Sequence, residues 1–523
     1  MSTSNQNTEP GAHITWVPDL IYADGRFRRD VGLTCDARGR VVALSPMSLL
    51  RTLTGGEPRE GETHDITISD RYLATRFVRL RNRALLPGMV NAHSHAFQRV
   101  IRGRTEYRSP AASDSFWTWR EMMYRAAARL SPEDIYDASR MAFMEMMLTG
   151  VTSVGEFHYL HRAPEGAAYD EANLLAKEVV RAARDVGLRI ALLRVAYARS
   201  GYATPPNERQ RRFIESDPAE FIRNAEALDD DLARAEASNG DGAEAPRRAW
   251  AGVAPHSVRA VPVEYARAVA EFARGRALCV HMHVAEQPAE VAACVEETGF
   301  TPVALLADSG ILDSRFTGVH AVHVTPEETE ALAAAGATVC ACPTTERNLG
   351  DGVVPADEMF ARGVRVALGT DSHAQIDLLE DARELEYHLR LQKLRRNVLA
   401  PPAAAGGADG EDRETHDEAS QLPALAARLF DCATVAGAHS IGAGAGQLAP
   451  GRAADFFTID LEDPSVAGAA EDDLLPAIVF SMARTALRET AVGGRLVVSE
   501  GRHPAQEEVV ARFSSLQRKL WGR

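Results

Sequence analysis

The chain is organised around LLPGMVNAHSHAFQR, the stretch from Leu85 to Arg99. An apolar run leads directly into His93 and His95, and on a strand this spacing puts both imidazoles on the same face. Two neighbouring imidazoles at the end of a buried strand supply half of a zinc-type site. By itself the pair is equally consistent with a chance HxH on a half-exposed strand, so its interpretation depends on the rest of the chain.

Composition and charge limit the class of protein and the partners. The chain has 523 residues, of which 45% are hydrophobic and 25% charged, as in ordinary globular proteins. A net charge of −15 without a clustered basic face argues against nucleic acid as a partner. There is no apolar run of about 18 residues, so we expect no membrane span. The polar N-terminus lacks a secretory pattern, which predicts a cytoplasmic protein.

The six cysteines are scattered through apolar, strand-like runs. This distribution predicts reduced, buried thiols rather than a disulfide framework. Cys340 and Cys342 form a CxC pair, but the surrounding run ATVCACP favours core packing over metal binding.

From Ala84 onward, apolar strands alternate with amphipathic helices, some of which have clear N-terminal caps at Ser131 and Thr325. Eight such alternations predict an α/β fold built on a (β/α)8 TIM-type barrel. The eight candidate strands are ALLPGMVNAH, VTSVGEFHY, RIALLRVAY, WAGVAPH, LCVHMHVAE, FTGVHAVHV, ATVCACP and VRVALGTDS.

Both ends of the chain are β-like. A hairpin is predicted where VGLTC and RVVAL flank the turn DARG at Asp36–Gly39. We therefore expect residues 1–82 and 441–523 to pair into a small β-sandwich domain beside a barrel formed by residues 83–440. Residues 238–248 and 403–420 are rich in Gly, Ala and acids, which predicts flexible insertions.

Polar residues at the carboxyl ends of barrel strands line the active site in this type of fold. A histidine at one strand end is usually a core residue bonded to a backbone carbonyl, but six strand ends that carry such residues indicate a catalytic site. These residues are His93, His95, Glu156, His158, Tyr159, His256, His281, His283, Glu286, His320, His323, Asp371 and His373.

Four features in order along the chain resemble the amidohydrolase superfamily, with the spacing of its aminohydrolase (deaminase) branch. They are PG before AHSH, then HVAE, a histidine on the sixth strand and GTDS. More narrowly, the chain is similar to the N-formimino-L-glutamate iminohydrolase family. The stretches that show this together are NAHSHAFQR, SFWTWREMMYR, GEFHYLH, APHSVRAV, HMHVAEQ, TTERNLGDG and GTDS. The similarity extends from about Leu85 to Leu394. It implies hydrolytic deimination of N-formimino-L-glutamate to N-formyl-L-glutamate and ammonia in histidine degradation, by a homodimer.

The resemblance also implies one divalent metal ion per chain, Zn²⁺ in preference to Fe²⁺, in a site of three imidazoles and a carboxylate. His281 competes with His283 for one position because both face the same way on the strand. The family spacing HxxE, which ends at Glu286, favours His283. The implied ligands are His93, His95, His283 and Asp371.

Members of the superfamily with two metals use a carboxylated lysine on a barrel strand. The three lysines of this chain are Lys177, Lys393 and Lys519. None lies on a predicted barrel strand, which favours a single metal.

The resemblance assigns four catalytic roles. Asp371 and His320 take the proton of the attacking water and orient it. Glu286 pairs with the cationic amidine and carries a proton to the departing nitrogen. His256 hydrogen-bonds the substrate or the tetrahedral centre.

A substrate with two carboxylates requires cations in its pocket. Arg120 and Arg259 match family positions that bind carboxylates, and a planar guanidinium suits that task. Gln98 and Tyr159 match positions that supply neutral hydrogen bonds. Arg347 departs from the family, which has a small residue there, and it could be a third carboxylate contact or face solvent.

Two alternatives remain open at the level of sequence. The first is another deaminase of the superfamily, of guanine or adenosine type, although a purine site has no need of paired arginines. The second is a barrel that has lost catalysis and serves as a binding or assembly protein. Such a protein usually lacks some ligands or proton carriers, whereas here the whole set is present.

Overall fold

A computed structural model describes residues 13–56, 63–68, 71–108, 114–238, 245–402 and 423–522. The predicted insertion at 403–420, and residues 239–244 of the predicted insertion at 238–248, lie outside the described residues. In chain order the strands are β1 (His13–Ala23), β2 (Arg26–Arg29), β3 (Val31–Cys35), β4 (Val41–Pro46), β5 (Thr63–Ile68), β6 (Arg71–Pro87), β7 (Met89–Ser94), β8 (Val151–His158), β9 (Arg189–Ala196), β10 (Ala249–Pro255), β11 (Val280–Val284), β12 (Phe316–His320), β13 (Thr338–Ala341), β14 (Arg365–Leu368), β15 (Phe456–Asp460), β16 (Leu487–Val492) and β17 (Arg495–Val498).

The helices alternate with the barrel strands and continue into the C-terminal part of the chain. They are α1 (Met47–Thr54), α2 (Phe116–Ala127), α3 (Pro132–Met147), α4 (Leu174–Val186), α5 (Pro218–Ser238), α6 (Val263–Arg276), α7 (Pro288–Thr298), α8 (Pro302–Asp308), α9 (Pro326–Ala334), α10 (Pro343–Leu349), α11 (Ala356–Ala361), α12 (Leu378–Lys393), α13 (Ala424–Asp431), α14 (Gly437–Ser440), α15 (Glu471–Ser481) and α16 (Gln506–Trp521). The two predicted caps are present: Ser131 Oγ accepts from the Asp134 amide at 3.3 Å, and Thr325 Oγ1 accepts from the Glu328 amide at 3.2 Å.

The predicted eight-stranded barrel is confirmed. Strands β7 to β14 pair in sequence order, each parallel to the next. Backbone hydrogen bonds join the ends of the first and last strands, since the His95 amide donates to Asp371 O and the Asp371 amide donates to His93 O, each at 3.1 Å. This closure brings the HxH pair directly beside the aspartate of GTDS.

The two chain ends form one hydrogen-bonded sheet in the order β17-β16-β15-β6-β1-β3-β4, with β2 on β1 and β5 on β6. β6 pairs with β1 on one side and with β15 on the other, so the expected small β domain built from both ends is confirmed. The predicted hairpin is β3 and β4. The expected boundary after residue 82 falls inside β6, because that strand continues its pairing to Pro87; we propose Gly88 as the boundary.

Burial follows the expected pattern. Every residue of β8, β9 and β10 is buried, as parallel strands covered by helices require. All six cysteines are buried and free, in agreement with the sequence analysis. Within the described residues, no helix combines the length and the apolar character needed to cross a bilayer.

Candidate active site

Four polar side chains converge where the barrel closes. Each of His93, His95, His283 and Asp371 is buried and offers one ligating atom, and these atoms all lie within 4.8 Å of one another. The Nε2 atoms of His93 and His95 are 3.3 and 3.2 Å from Asp371 Oδ1. The side chains come from β7 and the residue that follows it, from β11 and from the segment after β14, so the barrel alone brings them together.

Hydrogen bonds to backbone carbonyls fix the orientation of two of the imidazoles. His95 Nδ1 donates to Phe157 O at 2.9 Å, and His283 Nδ1 donates to His256 O at 3.0 Å. A neutral ring that donates from Nδ1 has its lone pair on Nε2, which leaves Nε2 of both rings available to a cation. This arrangement is the usual outer support of metal-binding histidines.

Electrostatics favours the protonation states that a cation needs. Burial lowers the pKa of His93 to about 3 and that of His283 well below its ordinary value, so both imidazoles are neutral. Burial opposes ionisation of Asp371, but the neighbouring imidazoles of His93, His95 and His320 hold the pKa of its carboxyl well below the usual range. Three imidazoles and one carboxylate fit a divalent ion such as zinc.

The competitor His281 lies apart from this group. Its Nε2 is 3.0 Å from Ser440 O. Of the three lysines, Lys177 lies on α4, Lys393 at the end of α12 and Lys519 on α16, so none belongs to a barrel strand.

His320 lies next to the four converging side chains, among carboxylates. Its Nε2 is 3.6 Å from Glu286 Oε1 and 3.8 Å from Asp371 Oδ2. Burial would lower the pKa of His320, but the surrounding carboxylates raise it well above its ordinary value. Burial also raises the pKa of Glu286 to about 7. Both groups can therefore hold a proton near neutral pH.

Glu346 is a residue that the sequence analysis missed. Its Oε1 is 3.2 Å from Nδ1 of His320 and accepts from the Cys342 amide at 2.8 Å. It lies within TTERNLGDG, in the first turn of α10. An acid at that position signals a helix N-terminus, but nothing local indicates contact with a histidine from another strand.

A cavity with about 520 Å³ of empty space, counted together with its opening to solvent, extends from these groups. Arg120 and Arg259 line it together with His95, His283 and Asp371. Nη1 of Arg120 and both Nε and Nη1 of Arg259 are buried without a hydrogen-bond partner among the described residues. Buried donors without acceptors are unfavourable, so this wall is suited to an anion.

The remaining predicted substrate-binding residues also line the cavity. Gln98 Nε2 donates to the Tyr159 hydroxyl at 2.9 Å, and Gln98 Oε1 has no partner in the described part of the chain. The His256 ring is stacked at a tilt beside His283, with 4.8 Å between ring centres. The neutral hydrogen-bonding groups thus line the same cavity as His95, His283, Asp371 and the two arginines.

Residues 84–497 match the sequence pattern of the amidohydrolase family. The chain belongs to that family. This amidohydrolase is 38% identical to the formimidoylglutamate deiminase of Pseudomonas aeruginosa, over 82% of this chain and 88% of that protein.

Solved structures agree with this assignment. A crystal structure of an amidohydrolase from Brucella melitensis superposes with a TM-score of 0.80 and 32% identity, over 98% of this chain and all of that chain. An adenosine deaminase from Xanthomonas campestris with bound zinc has the same fold, with a TM-score of 0.74 and 20% identity, over 97% of this chain and 98% of that chain.

Several polar residues of this amidohydrolase that the sequence singled out lie outside the cavity. Arg347 is half-exposed and pairs with Glu384, so it faces solvent and is not a third carboxylate contact. Glu156 accepts from the Ser94 hydroxyl and the Ala96 amide. The other such residues are His158, His323 and His373.

The structure also adds cavity residues to which no role was assigned from the sequence. Tyr124 comes from α2, Tyr197 follows β9 and Phe213 comes from the segment before α5. The strand-end rule could have found Tyr197, which ends the predicted strand RIALLRVAY. Tyr124 in a helix and Phe213 in a loop carry no such local sign.

Proposed function

We propose that this amidohydrolase converts N-formimino-L-glutamate and water to N-formyl-L-glutamate and ammonia. The observation that carries this proposal is the pair of arginines with unpartnered, buried N–H groups in the cavity beside the cation ligands. A substrate with two carboxylates supplies the acceptors that these groups lack. The identity to the formimidoylglutamate deiminase of Pseudomonas aeruginosa supports the same substrate.

We further propose that His93, His95, His283 and Asp371 hold one Zn²⁺ ion, with Fe²⁺ as the alternative. When bound, such an ion supplies Lewis acidity, which makes water nucleophilic near neutral pH. The absence of a lysine from the barrel strands supports one ion rather than two.

The protein groups around that position have distinct roles in the proposed reaction. Asp371 accepts the proton of the attacking water. His320 orients that water, since its Nε2 has no hydrogen-bond partner among the described residues. Glu286, with a pKa of about 7, transfers a proton to the departing nitrogen. His256 donates a hydrogen bond to the tetrahedral centre.

Ammonia release tests this function. The purified, metal-analysed protein is assayed with N-formimino-L-glutamate and, in parallel, with adenosine, guanine and related purines. We expect ammonia from N-formimino-L-glutamate alone and about one metal ion per chain. Activity confined to purines contradicts the substrate, and two ions per chain contradict the single-metal site.

The same resemblance is the basis for proposing a cytoplasmic homodimer that acts in histidine catabolism. Sedimentation of the purified protein tests the dimer.

A further inference from the structure

One group of polar side chains on the cavity wall has no role in the catalytic scheme. Tyr124 lies on α2, Tyr197 follows β9, and Gln210 ends the 3-10 turn Glu208–Gln210. All three are buried, and both tyrosines line the cavity. We call Tyr124 and Tyr197 the tyrosine pair.

Gln210 sets the direction of the hydrogen bonds in this group. The Ser200 hydroxyl donates to Gln210 Oε1. The amide nitrogen Nε2 then donates to the hydroxyl oxygens of Tyr124, at 3.0 Å, and Tyr197, at 2.8 Å. A phenol oxygen that accepts in this way keeps its own proton for another partner.

Neither hydroxyl proton of the tyrosine pair has an acceptor among the described residues. Burial raises the pKa of Tyr124, so this hydroxyl keeps its proton at neutral pH. The pair therefore offers two neutral donors to whatever occupies the cavity.

The arginines lie on the same wall. The Arg120 guanidinium is 5.3 Å from the ring centre of Tyr124 and 4.8 Å from that of Trp117. The Arg259 guanidinium is 5.8 Å from the ring centre of Trp117. Charged and neutral donors thus line one cavity, and Nη1 of Arg120 and Nε and Nη1 of Arg259 have no hydrogen-bond acceptor among the described residues.

We propose that the tyrosine pair donates two hydrogen bonds to a substrate carboxylate that Arg120 and Arg259 bind by charge, with Gln210 as the positioning residue that turns both hydroxyl protons into the cavity. This inference rests on the proposed function, because N-formimino-L-glutamate supplies the carboxylate. A carboxylate offers about four lone-pair sites, so it can accept from both kinds of donor. A ligand without an anion leaves these buried donors unpaired and binds poorly.

Steady-state kinetics of the metal-loaded full chain with N-formimino-L-glutamate tests the proposal. The variants are Tyr124→Phe, Tyr197→Phe, the double variant and Gln210→Met. Loss of one hydrogen bond to a charged group weakens binding at least about tenfold, so we expect KM to rise by at least that factor for each single variant. We expect kcat to change by less than about threefold, since the pair binds both ground state and transition state.

Gln210→Met keeps both phenols but removes the amide that orients them. We expect its KM to rise as far as that of the double variant. Calorimetric Kd values for N-formyl-L-glutamate should weaken in parallel, which gives a readout independent of turnover. Tyr22→Phe is the matched control, since Tyr22 is buried against Phe27 and Phe430, away from the cavity, and it should keep wild-type KM and Kd.

The outcomes separate the two proposals. If the wild-type protein releases ammonia from N-formimino-L-glutamate and both phenylalanine variants keep its KM, the inference is wrong and the proposed function stands. A fall in kcat at unchanged KM also overturns it. A wild-type protein without activity on this substrate overturns both. If Gln210→Met does not fold, the proposal is tested by the two phenylalanine variants, which each remove one oxygen atom.

Discussion

For the histidines at the strand ends, the group that contacts Nδ1 determines whether Nε2 is available to bind or to react. His95 and His283 have Nε2 free for a cation because their Nδ1 atoms donate to backbone carbonyls. His320 has Nε2 free because Glu346 occupies its Nδ1 side. The same rule explains the arginines, whose unpartnered N–H groups in a buried wall favour an anion.

Replacement of Arg259 by alanine tests that last statement. Arg259 is 9% exposed, so a substrate carboxylate loses a charge-assisted partner in a desolvated site. We expect kcat/KM to fall at least about 100-fold, or about 2.7 kcal/mol. Arg347→Ala, which removes a solvent-facing arginine, serves as the control. A loss below about threefold means that the arginine wall is misassigned.

Asp371→Asn should remove a metal ligand and a proton acceptor together. We expect the metal content of the purified variant to fall and its turnover to drop below about 1% of wild type. Elemental analysis and ammonia release measure the two effects. The exposed Asp24→Asn should change neither, and near-wild-type turnover of Asp371→Asn contradicts the mechanism.

Glu346→Gln keeps the size of the side chain but weakens the hold on His320. We expect kcat to fall by about tenfold or more, while KM stays near wild type because Glu346 does not line the cavity. Separate measurement of kcat and KM tests this. An increase in KM at constant kcat is the contrary result.

At the scale of elements, a buried ion pair holds the segment that carries Phe213. Arg194, at the end of β9, binds Glu215 through Nη2 at 2.9 Å and Asn173 through Nε at 2.9 Å. Burial would raise the pKa of Glu215, but nearby His161 and Arg194 lower it to about 2, from an ordinary 4.5. The carboxylate thus favours folding above pH 4.5, and that contribution is lost as the pH falls towards 2.

Glu215→Gln should destabilise the protein at pH 7 by about 3 kcal/mol, since it leaves the buried Arg194 without a charged partner. The variant should also lose less stability on acidification. Between pH 7 and about pH 3.5, its free energy of unfolding should fall by about 1 kcal/mol less than that of wild type. Urea unfolding at both pH values measures this difference. An equal loss of unfolding free energy in the two proteins contradicts the role of the Glu215 carboxylate in stability.

At the scale of the whole molecule, a buried ion pair links the barrel to the β domain. Asp455, just before β15, accepts from Arg189 of β9 at 2.7 and 3.1 Å and from the Gly493 amide at 2.7 Å. Both charged side chains are buried. A fully paired ion pair therefore contributes to the junction, and the proposed catalytic groups lie at the other ends of the strands.

Asp455→Ala leaves the buried Arg189 without its partner. We expect the free energy of unfolding to fall by about 3–5 kcal/mol, while kcat and KM at 25 °C stay near wild type because no cavity residue is altered. Chemical denaturation and steady-state assays check the two halves of this prediction, with Asp24→Ala as a surface control. A change below about 1 kcal/mol contradicts the role of the pair.

The strands, the barrel and the identity of the polar residues at the strand ends follow from the sequence alone. Apolar periodicity, helix caps and turn residues are local properties, so β7 to β14 and the hairpin of β3 and β4 can be located without coordinates. The proposed metal ligands and the proposed role of the two arginines required the family resemblance as well, because spacing alone did not separate His281 from His283.

Only the tertiary structure decided which distant groups meet. Closure of the barrel puts His95 beside Asp371, and the loops above it bring Gln210 to the tyrosine pair and Glu346 to His320. The tertiary structure also places Arg347 at the surface, where it pairs with Glu384. Contacts of this kind depend on how strands and loops are placed in space, and residues far apart in the chain carry no local pattern that records them.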